Sequence, residues 1–286
     1  MQRFNISHVT EYRFSSPVSL LPHRLLLRPR ENHNVRIESS TLEIVPAHAL
    51  QWKRDVLDNS LAVASFIGAS DLLRITSGVI IQHYDDNPLD FLVDDYAVMH
   101  PFDYVVADRA ELAPFQASVY PSDQSGVQRW LDGLGLLRPM ETFALLDQLN
   151  REIGSRFVYQ MREEPGVQSP AQTLAKASGS CRDFAALFME ACRHLGLASR
   201  FVSGYLHTLG TESGDGATHA WAEVYLPGAG WKGFDPTGGE VTSTHHIATA
   251  VASHPEAVPP VAGSYVGPAG EKPLLSVAVR VSALGV

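Results

Sequence analysis

The 286-residue chain contains only two cysteines, Cys181 and Cys192. Both belong to the stretch GSCRDFAALFMEACRHLG, residues 179–196, whose apolar spacing predicts a helix. Eleven helical residues separate the two α-carbons by roughly 16 Å, whereas a disulfide needs them within about 7 Å. We therefore expect two free thiols. A metal site would need more ligands than two cysteines so placed can offer.

Basic charge and long apolar runs are also scarce. The formal net charge is −9 and no long basic run is present, which argues against nucleic acid and anionic membranes as partners. No stretch reaches the roughly 18 apolar residues of a membrane span. The N-terminus MQRFNISHVTEYRF lacks the apolar core of a signal peptide. The sequence therefore predicts a protein of the reducing cytoplasm.

The period of the apolar residues divides the chain. Segments such as VRIES, TLEIV and LLRITSGVII alternate or are β-branched, so residues 1–105 are predicted to form an antiparallel β domain. From about residue 106 to 197 the period is helical, and strands return from about 198 to 240. A last strand, LLSVAVRVS, follows a segment rich in Pro and Gly. The predicted fold is α+β, with a second domain over 106–286 that includes this strand.

The segment SPAQTLAKASG predicts a short helix ahead of the cysteine helix. Ser169 is placed as its N-cap, Pro170 at its first position and Gln172 three residues after the cap. Gly179 is expected to close it.

Cys181 lies where the next helix should begin, with Ser180 and Asp183 placed as a capping pair. A thiol in the first turn meets unpaired N–H groups and the positive end of the helix dipole, and both favour the thiolate. Cys192 falls mid-helix on the apolar stripe and is predicted to be a core residue. For Cys181 a core role and a nucleophilic role both stay open on position alone.

A nucleophilic thiolate needs a base, and the base needs a group that orients it. The predicted strand THAWAEVYL contains His219, and GWKGFDPT contains Asp235. Each is a weak signal alone, because a strand histidine is commonly structural and an Asp before Pro commonly starts a turn. A hairpin through PGAG would bring the two strands side by side.

That hairpin must satisfy a geometric condition. Side chains alternate between the faces of a strand, and cross-strand partners share a face. With a regular four-residue PGAG loop, Asp235 would fall on the face away from His219. For both side chains to share a face, the alternation must be offset by one residue between them. A loop of three or five residues or a β-bulge would do this, with Gly230 and Gly233 as the favoured sites.

Together these blocks resemble the core of the transglutaminase-like superfamily. The runs GSCRDFAALFMEACRHLGLASRFVSGYL and THAWAEVYLPGAGWKGFDPT carry the resemblance within about residues 155–240, and FNISHVTEYRFSSPVSLLPHRLLLRPR resembles the N-terminal domain of its bacterial branch. The resemblance implies Cys181 as nucleophile, His219 as base and Asp235 as the residue that orients the base. It also implies that Tyr159, in RFVYQ, lies near the thiol as an oxyanion donor.

The implied activity is cysteine-dependent hydrolysis or acyl transfer at an amide, through a thioester and without a metal or organic cofactor. The implied substrate is the amide of a peptide or protein, with either water or an amine as acceptor. Water would make the protein a protease or amidase, and an amine would make it a transglutaminase. The alternative is a non-catalytic peptide-binding or scaffold protein on the same fold. The presence of all three residues favours the enzyme.

One segment departs from the family pattern. Relatives commonly carry a Gly-Arg-Asp-Tyr block after the last of these strands, whereas this chain has VASHPEAVPPVAGSY, with His254 and Pro255 near the expected Arg and Asp. The sequence does not assign a role to the 251–268 loop.

Other aromatic and histidine residues are weaker candidates. Trp221 and Trp231 flank the expected cleft, where a wall for a substrate side chain is an alternative to a core role. Histidines 207, 245, 246 and 254 lack a recognisable ligand spacing, and adjacent histidines on an extended segment point to opposite faces. No metal site is predicted.

Overall fold

The computed structural model of the chain describes residues 1–84, 87–162, 164–208 and 217–285. The strands of the first part are β1 (Gln2–Leu20), β2 (His23–Leu25), β3 (Val35–Val45), β4 (His48–Arg54), β5 (Ser60–Phe66), β6 (Ala69–His83) and β7 (Met99–His100). The middle part contains α1 (Val106–Gln116), α2 (Gln124–Gly133), β8 (Met140–Glu141), α3 (Thr142–Arg156), β9 (Val158–Tyr159), α4 (Pro170–Lys176), β10 (Ser178–Gly179) and α5 (Cys181–His194).

The last part is again built of strands. They are β11 (Ser199–Leu206), β12 (Ala217–Leu226), β13 (Gly230–Asp235), β14 (Glu240–Val241), β15 (His246–Ala252), β16 (Val261–Ala262), β17 (Tyr265–Val266) and β18 (Leu274–Leu284). The sequence LGTESGDGA, residues 209–217, predicts a Gly-rich loop ahead of β12, and it lies almost wholly outside the described residues. Of the helices described, none combines the length and the apolar character needed to cross a membrane.

Two antiparallel sheets form the N-terminal β domain, as predicted. One has the order β17-β1-β6-β3, with β18 also paired to β1, and the other has the order β16-β2-β5-β4. Apolar side chains of both sheets meet in one core, among them Phe14, Leu25, Ile44, Ala62 and Ile75. Alternation along the strands puts these residues on the inner faces of the two sheets.

The C-terminal strand pairs with the first strand of the chain. Strand β18 runs antiparallel to β1 from Arg3↔Leu284 to Arg13↔Leu274, and β16 and β17 pair with β2 and β1. The division expected from the sequence placed all of 106–286 in one domain, but these strands extend the N-terminal sheets. Without β18 much of the 19-residue β1 would have an open edge.

Helix α5 packs on a third antiparallel sheet, with the order β14-β13-β12-β11-β15. Phe188 of the helix stacks on Phe234 of β13 with ring centroids 5.5 Å apart. Ala220, Ala222 and Val224 of β12 belong to the same core. The sheet thus presents one face to the helix and leaves the alternate residues of β12, starting with His219, for the other face.

The charged side of α5 is buried as well. Glu190 and Arg193 form an ion pair of 3.2 Å in which both side chains are inaccessible to solvent. Ser118 donates to the Glu190 carboxylate, and Arg193 donates to the carbonyls of Ser199 and Ser253. The helix is therefore enclosed and its position is fixed on several sides.

Helix α4 has the predicted capping box of Ser169 and Gln172, but it ends differently from the expectation. Ala177, not Gly179, adopts the left-handed conformation at its C-terminus, with φ 48°. Gly179 lies in β10, where a Cβ would come within 2.8 Å of the Asp183 Cβ and 2.9 Å of the Gln168 Nε2. The glycine is needed there for close packing beside the start of α5.

Candidate active site

Cys181 occupies the first position of α5, and a buried carboxylate fixes the backbone before it. Asp183 accepts from the Ser180 N–H at 2.8 Å, from the Gln168 N–H at 2.7 Å and from the Arg162 guanidinium at 2.6 Å. Burial raises the pKa of Asp183, but these donors outweigh burial and leave the pKa below its ordinary value. The residue expected to cap the helix does so as a carboxylate.

The hairpin between β12 and β13 has the odd loop that this offset in the alternation requires. Leu226 pairs with Gly230 and Tyr225 with Trp231, which leaves a loop of three residues, Pro227 to Ala229. Gly228 and Gly230 have positive φ values of 83° and 75°. Asp235 therefore lies on the same face as His219, so the predicted offset is confirmed.

His219 links the thiol to the carboxylate. Its Nε2 lies 2.6 Å from the Asp235 Oδ2, and its imidazole is close enough to Cys181 for the thiol to act on its pKa. Because Nε2 faces the carboxylate, Nδ1 is the nitrogen left for the thiol. All three side chains are buried, with Cys181 9% exposed.

The electrostatics of the pair favour an imidazolium facing a carboxylate. Burial acts to lower the pKa of His219, but the hydrogen bond to Asp235 and the neighbouring Asp235 and Cys181 groups outweigh it and raise the pKa to about 10. Burial acts to raise the pKa of Asp235, and the donors His219 and His246 hold it well below its ordinary range.

Sequence reasoning missed His246 as a partner of this carboxylate. Its Nε2 lies 3.1 Å from the Asp235 Oδ2, and its Nδ1 accepts from the Ser243 N–H at 3.2 Å. With Nδ1 as acceptor, a neutral His246 carries its proton on Nε2 and donates it to Asp235. The other carboxylate oxygen accepts from the Thr237 N–H at 2.9 Å.

Tyr159 lies near the start of α5. It is directly opposite Gly179 in the parallel pair β9–β10, two residues before Cys181, and it is 51% exposed. Burial of its ring raises the pKa of the phenol, as do the charges that Cys181 and Asp235 carry when ionised. Its hydroxyl therefore stays protonated at neutral pH and can donate a hydrogen bond.

Comparison with known proteins bears on this arrangement. Residues 138–236 match the family model described as Transglutaminase-like superfamily, and residues 4–82 match the Bacterial transglutaminase-like N-terminal region. The chain belongs to the transglutaminase-like superfamily. The two matched regions hold β1 to β6 and the residues from α3 to the end of β13, including the three candidate residues.

Several related proteins are similar over most of the chain. An uncharacterized protein of Mycobacterium tuberculosis is 28% identical over 91% of this chain and 87% of its own length. One of Mycobacterium leprae is 24% identical over 93% of this chain and 94% of its own length. A crystal structure of a proposed cysteine protease from Cytophaga hutchinsonii covers 100% of this chain and 91% of that chain, with a TM-score of 0.76 and 16% identity. It shows the same fold.

The second cysteine stands apart from the site. Cys192 is fully buried in the core between α5 and its sheet. Burial raises the pKa of its thiol far above the ordinary value. It is placed as a core residue, as its mid-helix position predicts.

Neither tryptophan forms an open wall beside the thiol. Trp221 is 2% exposed and packs in a small core with Val202 and Val251. Trp231 lies about 13 Å along β13 from Asp235, at 3.3 Å per residue. There its ring meets Phe115 at 5.0 Å, and it lines a separate cavity of about 540 Å³.

The four histidines considered for a metal site do not converge. The rings of His207 and His245 lie 5.3 Å apart, whereas His254 accepts from the Glu256 N–H and caps a short 3-10 helix, Pro255–Ala257. In the part of the chain that is described, one group of three ligand atoms lies within 4.8 Å, on His219, Asp235 and His246. Its two nitrogens both face one oxygen at hydrogen-bond distance.

Proposed function

We propose that the protein catalyses cysteine-dependent acyl transfer at an amide through a thioester, with Cys181 as nucleophile, His219 as base and Asp235 as the residue that orients it. One observation carries the proposal: the His219 imidazole is hydrogen-bonded to a buried carboxylate and lies close enough to a thiol at a helix N-terminus for that thiol to act on its pKa. A nucleophile beside a base that is itself oriented by a third group is the arrangement that covalent catalysis needs.

In the first half-reaction the Cys181 thiolate attacks the carbonyl carbon of the amide. The developing oxyanion accepts from N–H groups at the start of α5 and from the Tyr159 hydroxyl. The C–N bond then breaks, and the His219 imidazolium gives its proton to the leaving amine. The acyl group is left on sulfur as a thioester.

In the second half-reaction neutral His219 takes a proton from water or from a second amine as that group attacks the thioester. The C–S bond breaks, and the thiolate and the imidazolium are restored. Asp235 keeps the same ring orientation in both halves by accepting from Nε2, and His246 and the Thr237 N–H hold the carboxylate in place. The chemistry requires no metal or organic cofactor.

Electrophilic probes distinguish the proposed enzyme from the rival function, non-catalytic peptide binding, because they react only with a reactive thiol. We would treat the protein with a panel of peptide electrophiles and glutamine-analogue electrophiles and locate the adducts by mass spectrometry. We expect adducts on Cys181 and none on Cys192. Labelling should be lost in Cys181→Ala and largely retained in Cys192→Ala.

The same panel narrows the substrate class. Preference for the glutamine analogues supports a carboxamide donor, and preference for the peptide electrophiles supports a peptide bond. A folded protein with Cys181 unlabelled by the whole panel would favour the scaffold, and adducts on Cys192 would overturn the assignment of the nucleophile.

A further inference from the structure

A short strand beside the nucleophile has an unpaired edge. Strand β9 pairs only with β10 in a two-stranded sheet among the residues described. Segment 158–161 is exposed throughout, with Val158 62%, Tyr159 51% and Met161 84% accessible. An exposed strand edge carries N–H and C=O groups that can pair with another chain.

The register shows which main-chain groups face outward. The N–H of Val158 donates to the Ala177 carbonyl at 2.9 Å, and the N–H of Gln160 donates to the Gly179 carbonyl at 2.8 Å. In a parallel ladder, alternate residues direct their main-chain groups to opposite sides. The N–H and C=O of the intervening Tyr159 therefore point away from β10, toward the free edge.

This edge is continuous with the proposed catalytic centre. Strand β10 ends at Gly179, one residue before the helix cap and two before Cys181, and Tyr159 pairs directly with Gly179. A chain added to β9 would lie two strand spacings, about 10 Å, from β10. About three extended residues span that distance, so such a chain could reach the thiol.

We propose that the free edge of β9 binds the main chain of an extended peptide substrate, with the Tyr159 N–H as donor and its C=O as acceptor. The occupant is a polypeptide segment that carries the reacting amide about three residues away. An antiparallel chain satisfies both groups with the N–H and C=O of a single residue. The exposed side chains of Val158 and Met161 flank that residue and provide apolar contact. This inference rests on the proposed function, and it excludes small free amides as the preferred substrates.

A set of probes tests this on the native protein. The parent probe has a central epoxysuccinyl electrophile with three alanines on each side, so that it extends in both directions from the thiol. Six analogues each carry one N-methylated amide, which removes one donor. We expect one position, about three residues from the epoxide, to lower the second-order rate of Cys181 alkylation about tenfold, the upper range for a lost neutral hydrogen bond.

Two variants test the protein's side of the contact. Tyr159→Ala and Tyr159→Pro both remove the phenol, but only proline also removes the N–H. The ratio of the parent-probe rate to the iodoacetamide rate should be about tenfold lower in the proline variant than in the alanine variant. If the proline variant does not fold, the N-methyl series decides the question.

The outcomes separate this inference from the proposed function. Six analogues that all react within about twofold of the parent, or a parent no faster than the epoxide without its peptides, would overturn the main-chain site while leaving the thiol chemistry intact. A Cys181 that reacts with neither iodoacetamide nor any epoxide would instead overturn the proposed function.

Discussion

At the residue scale, Asp235 is the centre of a hydrogen-bond network that the sequence shows only in part. Motif order pointed to Cys181, His219 and Asp235, because each lies in a recognisable block. Nothing in the spacing of residues 235 and 246 indicates that His246 shares the same carboxylate oxygen. That contact depends on how β15 returns beside β11, and on Gly204, where a Cβ would come within 2.6 Å of the Trp221 ring.

We expect His246→Ala to lower the rate of Cys181 labelling by a peptide electrophile by about 10- to 100-fold, the range for a lost hydrogen bond to a charged group. Its Nε2 donor would be missing, and the Asp235 carboxylate would be held less firmly. His246→Gln supplies a side-chain N–H donor and should recover most of the rate. Thermal unfolding of both variants is the control. A wild-type rate in the alanine variant, or no difference between alanine and glutamine, would show that His246 does not position Asp235.

At the element scale, the sequence predicted α5 and the β12–β13 hairpin well. The helical period of the apolar residues located α5. The alternation of side chains required a loop with an odd number of residues at PGAG, or a bulge, if His219 and Asp235 were to share a face. Burial of the charged side of α5 could not be predicted, because it depends on the segment around Ser118 and on the carbonyl of Ser253, both distant in sequence.

The buried ion pair of α5 gives a stability prediction. Glu190→Ala leaves Arg193 buried and unpaired, and we expect a loss of about 3–5 kcal/mol in the free energy of unfolding. Asp147→Ala on α3 is the matched control, since it breaks the exposed pair with Arg151 and should cost at most about 0.5 kcal/mol. Denaturant unfolding measures both, and equal losses would contradict the importance of the buried pair.

At the scale of the whole molecule, the first and last strands of the chain hold the N-terminal sheet together. The sequence identified LLSVAVRVS as a strand but did not indicate its partner, because strand pairing over more than 260 residues leaves no local pattern. That sheet also meets the sheet that carries α5, where Phe4 and Ile6 of β1 pack with Tyr205 of β11 and Ile247 of β15.

We therefore expect residues 1–105 expressed alone not to form a stable domain, because β1 would lack β18 and part of its apolar face would be exposed. The full chain is the control. Circular dichroism and cooperative thermal unfolding measure the outcome. A fragment that unfolds cooperatively at the temperature of the full chain would contradict this interdependence.

The most direct test of the central claim is the rate at which iodoacetamide alkylates Cys181 between pH 6 and pH 9. The pKa of His219 is raised to about 10, so the imidazolium is present throughout this range and is lost only above it. An imidazolium beside the sulfur sustains a thiolate, so we predict rapid alkylation already at pH 6, a nearly constant rate up to pH 9, and a large loss of the pH 6 rate in Asp235→Asn. A rate that is slow at pH 6 and climbs about tenfold per pH unit, as for an ordinary free thiol, would contradict the account.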